Sequence, residues 1–444
     1  MIVMKFGGSS VANAERIRHV ASIIKAYRDR RPVVVLSAMG DTTDYLLEAA
    51  DLAVSGNVNI NRIRKLQTDT ETELAITVPG VEKLLDELTR LLTGISMIKE
   101  LTRRTKDYVV SFGERMSVRM MAAYLTKIGI PAESYDAWEI GFTSDSNFMS
   151  AELLDSVWSD IPAHLGSYEK GKKSEIPVVT GFIAHDADGN ITTLGRGGSD
   201  LTATMIGAAM RAEEIQTWKD VDGIMTGDPR ICSDAQLVPE VTYDEAQELA
   251  MFGAQVLHPR SMVPCRRTGT PVRVKNSYNI DSPGSIIIAD HNTEPNPVCA
   301  VTSVKHVTLI DIVSTSMLDA SGFLAHIFNQ FLKWDTSIDV IATSEVSVSL
   351  TINCTDHLDG IVADLKRVAD VNVKRDKAIV AIICDAAHSS TILADGFTAL
   401  SRAGKNVQMI SQGASKVNIS LLCDDSEADR VVQILHNAYF GGCK

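Results

Sequence analysis

The feature that most constrains the fold is a set of short, continuously apolar segments that alternate with amphipathic helices. Residues 2–6 form the first such segment, and a Gly-Gly-Ser-Ser break separates it from an amphipathic stretch at about 13–29. A second apolar run follows at 33–36. Strands that are apolar on both faces are typical of a parallel sheet covered by helices on each side. The sequence therefore predicts an α/β protein whose first strand begins almost at residue 1.

The same alternation continues to about residue 280. The predicted elements are, in order, a helical region at 42–128, strands at 130–135 and 176–183, a hairpin within 178–195, a helix at 199–211 and a strand at 215–218. The hairpin is predicted because Asp188-Gly189-Asn190 provides a tight turn. Three prolines, a glycine and several Asn and Asp residues within 281–297 indicate a domain boundary.

Beyond about residue 300 the pattern becomes repetitive. Residues 307–352 and 378–422 follow a similar order of strand, turn, helix, strand, turn and strand. Residues 338–341 match 407–410, which gives a repeat of roughly 70 residues. Two small βαββαβ units are the simplest account of this pattern. Neither unit covers both faces of its sheet, so we expect the units to pair with each other or across a dimer.

Composition excludes several classes of protein. A chain of 444 residues suggests about three domains, and its formal charge of −13 argues against a surface that binds DNA or RNA. We expect no membrane span, because no apolar run approaches the roughly 18 to 20 residues that a span requires. Seven cysteines without a C-x-x-C pair, and the lack of a signal-like start, favour a reducing, cytoplasmic location.

Two glycine-rich turns between a strand and a helix are the first candidates for chemistry. The turn at Lys5–Ser10 offers backbone amides and one cation, which suit a phosphate, although a tight βα turn explains it equally well. The turn at Gly195–Asp200 places Arg196 among three glycines, and an arginine can hold a carboxylate through two hydrogen bonds. Alternatively, Ser199 or Asp200 caps the helix that follows.

Two further segments have both a functional and a structural interpretation. Residues 218–230 leave a strand for a loop rich in Gly and Asp with two cations, which suits a nucleotide or a solvated loop. Residues 252–259 end in His258 before a proline, where a helix-end role is favoured over a catalytic one. No G-x-G-x-x-G opens a helix, which argues against a dinucleotide-binding domain.

Taken together and in order, these segments resemble the aspartokinases of the amino acid kinase family. The matching motifs are KFGGSS at 5–10, VVLSAMGDTTD from 34, SFGER at 111–115, GRGGSD at 195–200, WKDVDGIMTGDPR at 218–230 and FGAQVLHPRS at 252–261. The C-terminal part is similar to the paired ACT domains of lysine-regulated, monofunctional members. The resemblance implies an amino acid kinase fold, an open and mainly parallel sheet between helices, at 1–290. It implies one effector-binding ACT domain at 300–372 and 430–444, and a second at 373–429.

The reaction implied by the resemblance transfers the γ-phosphoryl of ATP to the β-carboxylate of L-aspartate. This step opens the route to lysine, threonine and methionine. A carboxylate with a pKa near 4 is already ionised at neutral pH, so no general base is needed. The obstacle is repulsion between two anions, and positive charge with correct positioning overcomes it. Lysine, arginine and glycine amides recur in these segments, in agreement with that requirement.

The resemblance also implies residue roles. Lys5 stabilises charge on the transferring phosphoryl, and Asp200 organises the cationic groups. The expected nucleotide and phosphate residues are Lys5, Gly7, Gly8, Ser9, Ser37, Lys219, Asp220, Met225, Arg230 and Gln255. The expected aspartate residues are Thr43, Glu114, Arg196, Gly197, Gly198 and Ser199. Mg²⁺ is expected on the phosphates and water, with no protein ligand. Gln255 replaces a frequent phosphate-binding lysine, and we hypothesise that Lys219 supplies the missing charge.

Regulation and assembly follow from the same resemblance. Lysine is expected between a turn before the first repeat's helix and a later segment, with residues Met317, Gly322, Phe323, Leu324, Asp339, Thr343, Ser344 and Glu345. The ACT domains are expected to form a homodimer, or a dimer of dimers. Two alternatives remain open at this point. One is a kinase for another amino acid, such as glutamate or N-acetylglutamate, and the other is a non-catalytic, effector-binding subunit.

Overall fold

The computed structural model describes residues 1–253, 257–291, 296–313, 322–413 and 417–441. These residues divide into two compact units. The first unit comprises 1–224, 239–243 and 256–290, and the second comprises 225–238, 244–255 and 291–444, each within the described ranges.

The first unit contains the predicted alternation of strands and helices. Its strands are β1 (Ile2–Phe6), β2 (Pro32–Leu36), β3 (Ala132–Tyr135), β4 (Ile176–Thr180), β5 (Ile183–His185), β6 (Ile191–Thr193), β7 (Glu214–Lys219), β8 (Glu240–Thr242), β9 (Val272–Asn276) and β10 (Ser285–Ile288). Its helices are α1 (Ala14–Ala26), α2 (Thr42–Val54), α3 (Asn61–Leu74), α4 (Pro79–Ile98), α5 (Arg103–Lys127), α6 (Val157–Glu169), α7 (Gly198–Ala209) and α9 (Pro259–Thr268). Helix α8 (Tyr243–Met251) begins in this unit and continues in the second.

An eight-stranded sheet forms the centre of the first unit. Its order is β3-β4-β2-β1-β7-β9-β10-β8, and every neighbouring pair is parallel except β9 with β10. Strand β2 is buried along its whole length, as expected for a strand with helices on both faces. Helices α1 to α5 share one apolar core with β1 and β2. Because β1 lies between β2 and β7, the loops after these three strands emerge at one edge of the sheet.

Most of the predicted elements of this unit are confirmed. The first strand, the helical region at 42–128 and the hairpin, formed by β5 and β6, occur where they were expected. The change of unit between 290 and 291 falls within the predicted boundary segment 281–297, although β10 in the same segment still joins the main sheet. Pro283 and Gly284 come immediately before this short strand and therefore do not interrupt its hydrogen bonds.

The second unit is built on a single six-stranded sheet. Its elements are β11 (Val298–Val313), α10 (Phe323–Lys333), β12 (Ile341–Thr343), β13 (Ser347–Ile352), α11 (Leu358–Leu365), β14 (Asp370–Cys384), α12 (Ser389–Arg402), β15 (Met409–Ser411), β16 (Asn418–Asp424) and α13 (Ala428–Phe440). The strand order is β12-β13-β11-β14-β16-β15, and all pairs are antiparallel. The two expected repeats therefore pair with each other through β11 and β14.

Two apolar cores lie along this sheet. One contains α10, α11, β13 and the later part of β11, and the other contains α12, α13, β16 and the later part of β14. The helix expected within 430–444 to complete the first repeat packs instead in the core of the second. The reason is its apolar face, on which Val431, Val432 and Leu435 meet Ile392 and Leu400 of α12. The first repeat is thus inserted between two parts of the second.

Candidate active site

Lys5 stands at the end of β1 and forms the centre of the candidate site. Its Nζ lies 2.7 Å from Oδ1 of Asp200, and the side chains of both residues are only 12% exposed. The ammonium also lies over the following glycine turn, since a Cβ at Gly7 would be 3.9 Å from Nζ. The first amides of the 3-10 turn at Gly8–Val11 have no partner within that turn. A cation and the start of a 3-10 turn without a side-chain cap therefore lie at one end of the sheet.

The second glycine turn begins α7 without a side-chain cap. Gly197 precedes the helix with φ 75°, a left-handed conformation that favours glycine, and neither Ser199 nor Asp200 caps the helix. The Ser37 hydroxyl, after β2, instead donates to Oγ of Ser199 at 3.0 Å. Asp200, in the first turn of α7, is consequently free to face Lys5. The simple capping interpretation of this turn is therefore excluded.

The loop after β2 packs directly on the first glycine turn. The Gly40 amide donates to the Gly8 carbonyl at 3.0 Å. A Cβ at Gly8 would lie 2.8 Å from the Ala38 carbonyl oxygen, closer than real Cβ atoms approach. Only glycine allows the two loops to approach this closely.

Glu114, on α5, is a buried carboxylate beside these loops. Its Oε1 accepts a hydrogen bond from the Ala38 amide at 3.1 Å, and Oε2 has no hydrogen-bond partner among the described residues. Burial raises the pKa of Glu114 to about 8. An unpaired buried carboxylate oxygen is costly, so a donor on a ligand would relieve a real penalty here.

Lys219 ends β7, next to β1 in the sheet. Burial lowers the pKa of Lys219, Asp200 raises it, and the nearby Lys5 lowers it further. The ammonium group of Lys219 therefore interacts electrostatically with both Asp200 and Lys5. Asp220, which follows, is exposed.

Comparison with known proteins agrees with this geometry. The sequence pattern of the amino acid kinase family matches residues 1–276, and that of an ACT domain matches 386–439. Aspartokinase 2 of Arabidopsis thaliana, a chloroplastic protein, is 48% identical over 99% of this chain and 84% of its own length. The lysine-sensitive aspartokinase 3 of Escherichia coli is 32% identical over 99% of both chains.

The chain belongs to the aspartokinases.

Solved aspartokinase structures have the same fold. E. coli aspartokinase III in complex with aspartate and ADP, in its R-state, superposes with a TM-score of 0.81 at 30% identity, covering 99% of this chain and all of that one. The same enzyme in complex with lysine and aspartate, in its T-state, gives a TM-score of 0.83 at 30% identity, over 99% of each chain. The predicted amino acid kinase fold with a C-terminal ACT region is therefore confirmed, as is the kinase class of enzyme.

The structure brings most of the predicted catalytic-unit residues to one edge of the sheet. They lie on the loops after β1, β2 and β7, at the starts of α2 and α7, and on α5: Lys5, Gly7, Gly8, Ser9, Ser37, Thr43, Glu114, Arg196, Gly197, Gly198, Ser199, Asp200, Lys219 and Asp220. Arg196 is exposed. Gln255 lies outside the described residues.

Two residues predicted to line the nucleotide belong to the second unit. Met225 and Arg230 are part of its segment 225–238. Arg230 is exposed and pairs with Asp228, with Nη2 2.6 Å from Oδ2. This ion pair raises the pKa of Arg230 and lowers that of Asp228. A nucleotide that engaged Arg230 would have to compete with Asp228.

The predicted effector residues occur in the inserted repeat of the second unit. Gly322, with φ 96°, precedes α10, so the amides of Phe323 and Leu324 begin that helix. Thr343 ends β12, and Ser344 and Glu345 follow in an exposed turn. Met317 lies outside the described residues.

Among these effector residues, Asp339 is a partly buried carboxylate. Burial raises the pKa of Asp339 to about 6, and its buried Oδ2 has no hydrogen-bond partner among the described residues. The arrangement resembles that of Glu114, because a carboxylate is again held in a position that a cationic ligand would favour.

Sequence reasoning missed residues that shape the site through the backbone. The Ala38 amide holds Glu114, and a Cβ at Gly181 would lie 2.6 Å from the Cβ of Ser199. Phe182 has φ 69° and packs on Gly198. A Cβ added at Gly198 would lie 2.8 Å from the phenyl ring of Phe182. The Gly-Phe pair after a buried strand was a usable signal, since Gly at a strand end often marks a close backbone approach.

The described residues contain neither a cluster of metal ligands nor a membrane-spanning helix. No group of three or more His, Cys, Asp or Glu side chains is arranged to hold a metal ion in the part of the chain described above. Within the same residues, the helices are all too short or too polar to span a bilayer.

Proposed function

We propose that this chain transfers the γ-phosphoryl of ATP to the β-carboxylate of L-aspartate, producing 4-phospho-L-aspartate and ADP. The observation that carries the proposal is the pairing of Lys5 with Asp200 where two glycine-rich turns meet. The pair places a fixed ammonium beside backbone amides, and such preorganised positive charge is what phosphoryl transfer requires. The aspartate and ADP seen in the E. coli relative support this choice of reactants.

Charge neutralisation accounts for the chemistry of the step. The attacking carboxylate is already ionised, so it needs no base, but it must approach a triphosphate of the same sign. Lys5 and Lys219 lie close enough to influence each other, and both are held beside Asp200. In the proposed mechanism Lys5 stabilises charge on the transferring phosphoryl, Lys219 supports the phosphates, and Asp200 holds Lys5 through the ion pair and raises the pKa of Lys219 against the effect of burial. Gly7, Gly8 and Ser9 add amide donors.

Recognition of the amino acid uses the opposite side of the site. Arg196 is exposed among three glycines, where its guanidinium can bind the α-carboxylate through two hydrogen bonds. Glu114 presents an unpartnered buried oxygen for the α-ammonium, and Thr43 contributes from the start of α2. An N-acetylated substrate has no such ammonium, which disfavours N-acetylglutamate.

Mg²⁺ is expected to accompany the nucleotide. We propose that the ion is held by the phosphates and water and supplies further charge neutralisation there.

Three assays test the proposal. ADP release is measured with aspartate, with N-acetylglutamate or with no acceptor, and only aspartate is expected to support turnover. Lys5→Ala is expected to lower kcat by about 10³-fold, as the loss of a transition-state donor does elsewhere. Lys127→Ala, a lysine of α5 that bonds the carbonyls of Leu74 and Ala75, serves as the control. Turnover with another acceptor, or none with any, would replace this proposal by one of the two alternatives.

We also propose feedback inhibition by L-lysine at the inserted repeat, as part of the route to lysine, threonine and methionine. Asp339 supports this because its buried Oδ2, which has no hydrogen-bond partner among the described residues, suits a lysine ammonium, while the amides at the start of α10 suit the carboxylate of lysine. An inhibition of about 100-fold needs about 2.7 kcal/mol of differential binding between active and inactive states.

Titration calorimetry tests the lysine site separately. Wild-type protein is expected to bind lysine, and Asp339→Ala to lose both binding and inhibition while keeping turnover. Asp356→Ala, an exposed aspartate in the same repeat, is the matched control. Unchanged inhibition in Asp339→Ala would exclude the site.

Assembly, location and the limits of the catalytic domain stay as predicted from the sequence. We propose a homodimer, or a dimer of dimers, through the ACT region. Leu324, Phe328 and Leu332 support this, because they recur at every fourth position of α10 and are exposed. Light scattering of the full chain measures the oligomer. We keep a cytoplasmic location and a catalytic domain at 1–290 as proposals.

A further inference from the structure

Asp107 is a fully buried carboxylate that the proposed mechanism does not use. It lies near the start of α5, seven residues before Glu114, and is 0% exposed. Its Oδ2 accepts hydrogen bonds from the amides of Met149 at 2.9 Å and Thr193 at 3.0 Å, and its Oδ1 accepts one from the Thr193 hydroxyl at 2.7 Å. A buried charge is retained at such cost only when it is well paired, and here all the pairing is with one small region.

The three hydrogen bonds join two backbone segments. Thr193 ends β6, and its carbonyl accepts from the Ala151 amide at 2.9 Å. Met149 has φ 75°, which is strained for a residue with a side chain, and the bond to Asp107 fixes its amide in that conformation. The turn at 149–151 and the end of β6 are therefore held as one body by a single carboxylate.

Arg260, in the first turn of α9, holds the same two segments from another side. Its Nη1 donates to the Leu194 carbonyl at 3.2 Å and its Nη2 to the Ala151 carbonyl at 2.8 Å. Asp107 thus accepts hydrogen bonds from the backbone amides of this region, and Arg260 donates hydrogen bonds to the backbone carbonyls of the same region. Every one of these bonds ends within two residues of Gly195 or Met149.

This region leads directly into the loop of Arg196. Gly195 and Gly197 both have positive φ angles, so the peptide on either side of Arg196 has wide conformational freedom. A Cβ at Gly195 would lie 3.3 Å from the Met149 carbonyl oxygen, which shows that the held turn packs against the base of the loop. The Arg196 side chain is exposed, and none of the described contacts fixes its guanidinium. Its position depends on the backbone beneath it.

We propose that Asp107 and Arg260 are positioning residues for recognition of the amino-acid substrate, acting through the backbone that carries Arg196. The inference rests on the proposed function, since it assigns Arg196 to the α-carboxylate. Neither residue touches the reacting atoms. Their role is to limit where the guanidinium of Arg196 can go before the substrate arrives, which reduces the ordering cost of binding.

Steady-state kinetics of Asp107→Ala and Asp107→Asn test this inference. Asp107→Ala is expected to raise KM for aspartate about tenfold, because aspartate binding is weakened. The Lys5–Asp200 pair stays intact, so KM for ATP is expected to change less than twofold and kcat less than threefold. Asp107→Asn is expected to stay within twofold of wild type. A flipped amide keeps an oxygen toward both amides and offers its NH₂ to the Thr193 hydroxyl.

Asp136→Asn is the matched control. Asp136 is also buried beside α5 and accepts from Arg119 at 2.8 Å and 3.0 Å, but its partners do not lead to the Arg196 loop. This variant is expected to lower the melting temperature without changing KM for aspartate. If Asp107→Ala does not fold, Thr193→Val and Arg260→Met, which each remove part of the same clamp, are measured in its place.

The outcomes separate this inference from the proposed function. Wild-type protein that shows no aspartate-dependent ADP release overturns the proposed function. Wild-type activity together with equal loss of aspartate and ATP affinity in Asp107→Ala overturns the positioning role, as does Asp107→Asn behaving like Asp107→Ala. A selective rise in KM for aspartate, rescued by asparagine, supports it.

Discussion

Glu114 links the protonation of one side chain to the affinity for substrate. Its pKa of about 8 means that it is mostly protonated at neutral pH in the empty site. Only the ionised form attracts the α-ammonium of an amino acid. We therefore expect KM for aspartate to fall by up to about tenfold per pH unit as pH rises toward 8, and to level off above it.

The pH dependence is checked by measuring KM for aspartate and for ATP between pH 6 and 9. Glu114→Gln is expected to have a high KM for aspartate that no longer changes across this range. KM for ATP serves as the internal control. A wild-type KM for aspartate that is flat from pH 6 to 8 would contradict the assigned role.

Lys219 carries the second prediction at this scale. Lys219 interacts electrostatically with Lys5 and Asp200. Lys219→Ala is therefore expected to raise KM for ATP about tenfold, because roughly one charge-assisted contact to the phosphates is lost. In that background Gln255→Lys, at the position where the family resemblance implies a phosphate-binding lysine, is expected to recover most of the affinity. Unchanged ATP affinity and turnover in Lys219→Ala would refute the compensation hypothesis.

Individual residues differ in how far the sequence reveals them. Lys5 and Asp200 could be proposed from the sequence because each stands in a glycine-rich motif, although a tight βα turn and a helix cap were open structural explanations. Asp107 was not, since its partner Thr193 is 86 residues away and a single aspartate in a helix is usually solvated. The raised pKa of Glu114 was equally hidden, because burial depends on packing against loops that are distant in the chain.

Helix α13 is an element whose place was predicted wrongly but whose packing explains a titratable group. His436 is 0% exposed, its ring packs on Phe440, and its Nε2 lies 2.9 Å from Oγ1 of Thr226. Burial lowers the pKa of His436 below its ordinary 6.5. Its neutral form is thus part of the folded second unit.

A stability measurement follows from this histidine. The unfolded chain binds a proton at His436 near pH 6.5, while the folded chain binds it only at lower pH, so stability is lost as pH falls through 6.5. His436→Gln is expected to be less stable at pH 8, by about 1–3 kcal/mol for the lost contacts, and to lose less stability than wild type between pH 8 and 5. Denaturant unfolding at each pH measures both, and identical slopes would contradict the argument.

Elements defined by local pattern were the ones the sequence predicted well. Strand β1 has the expected bounds, and helix α7 begins one residue before its expected start. Gly residues mark these limits. Strand β10 was missed because it lies within a proline-containing segment, where composition outweighs three apolar residues. The core to which α13 belongs was not predictable from its own sequence, because either repeat offers an apolar face of suitable size.

At the scale of the whole molecule, two compact units and two proposed ligand sites occur on one chain. We expect lysine to protect amides at the start of α10 from hydrogen exchange, and aspartate with ADP to protect those after β1 and before α7. Mass-spectrometric exchange on the full chain measures both. Asp339→Ala is expected to lose only the protection by lysine. Equal loss of both responses in this variant would show that Asp339 acts on the fold rather than on a ligand.

The inserted repeat begins and ends on neighbouring strands of the second repeat. Val304 of β11 and Ile379 of β14 are directly opposite each other in the antiparallel register. The stretch between them closes on itself, and joining its two ends by a short reverse turn would leave β14, β16, α12 and α13 still connected. A repeat attached in this way can be lost, gained or exchanged for another without any cut through the supporting fold.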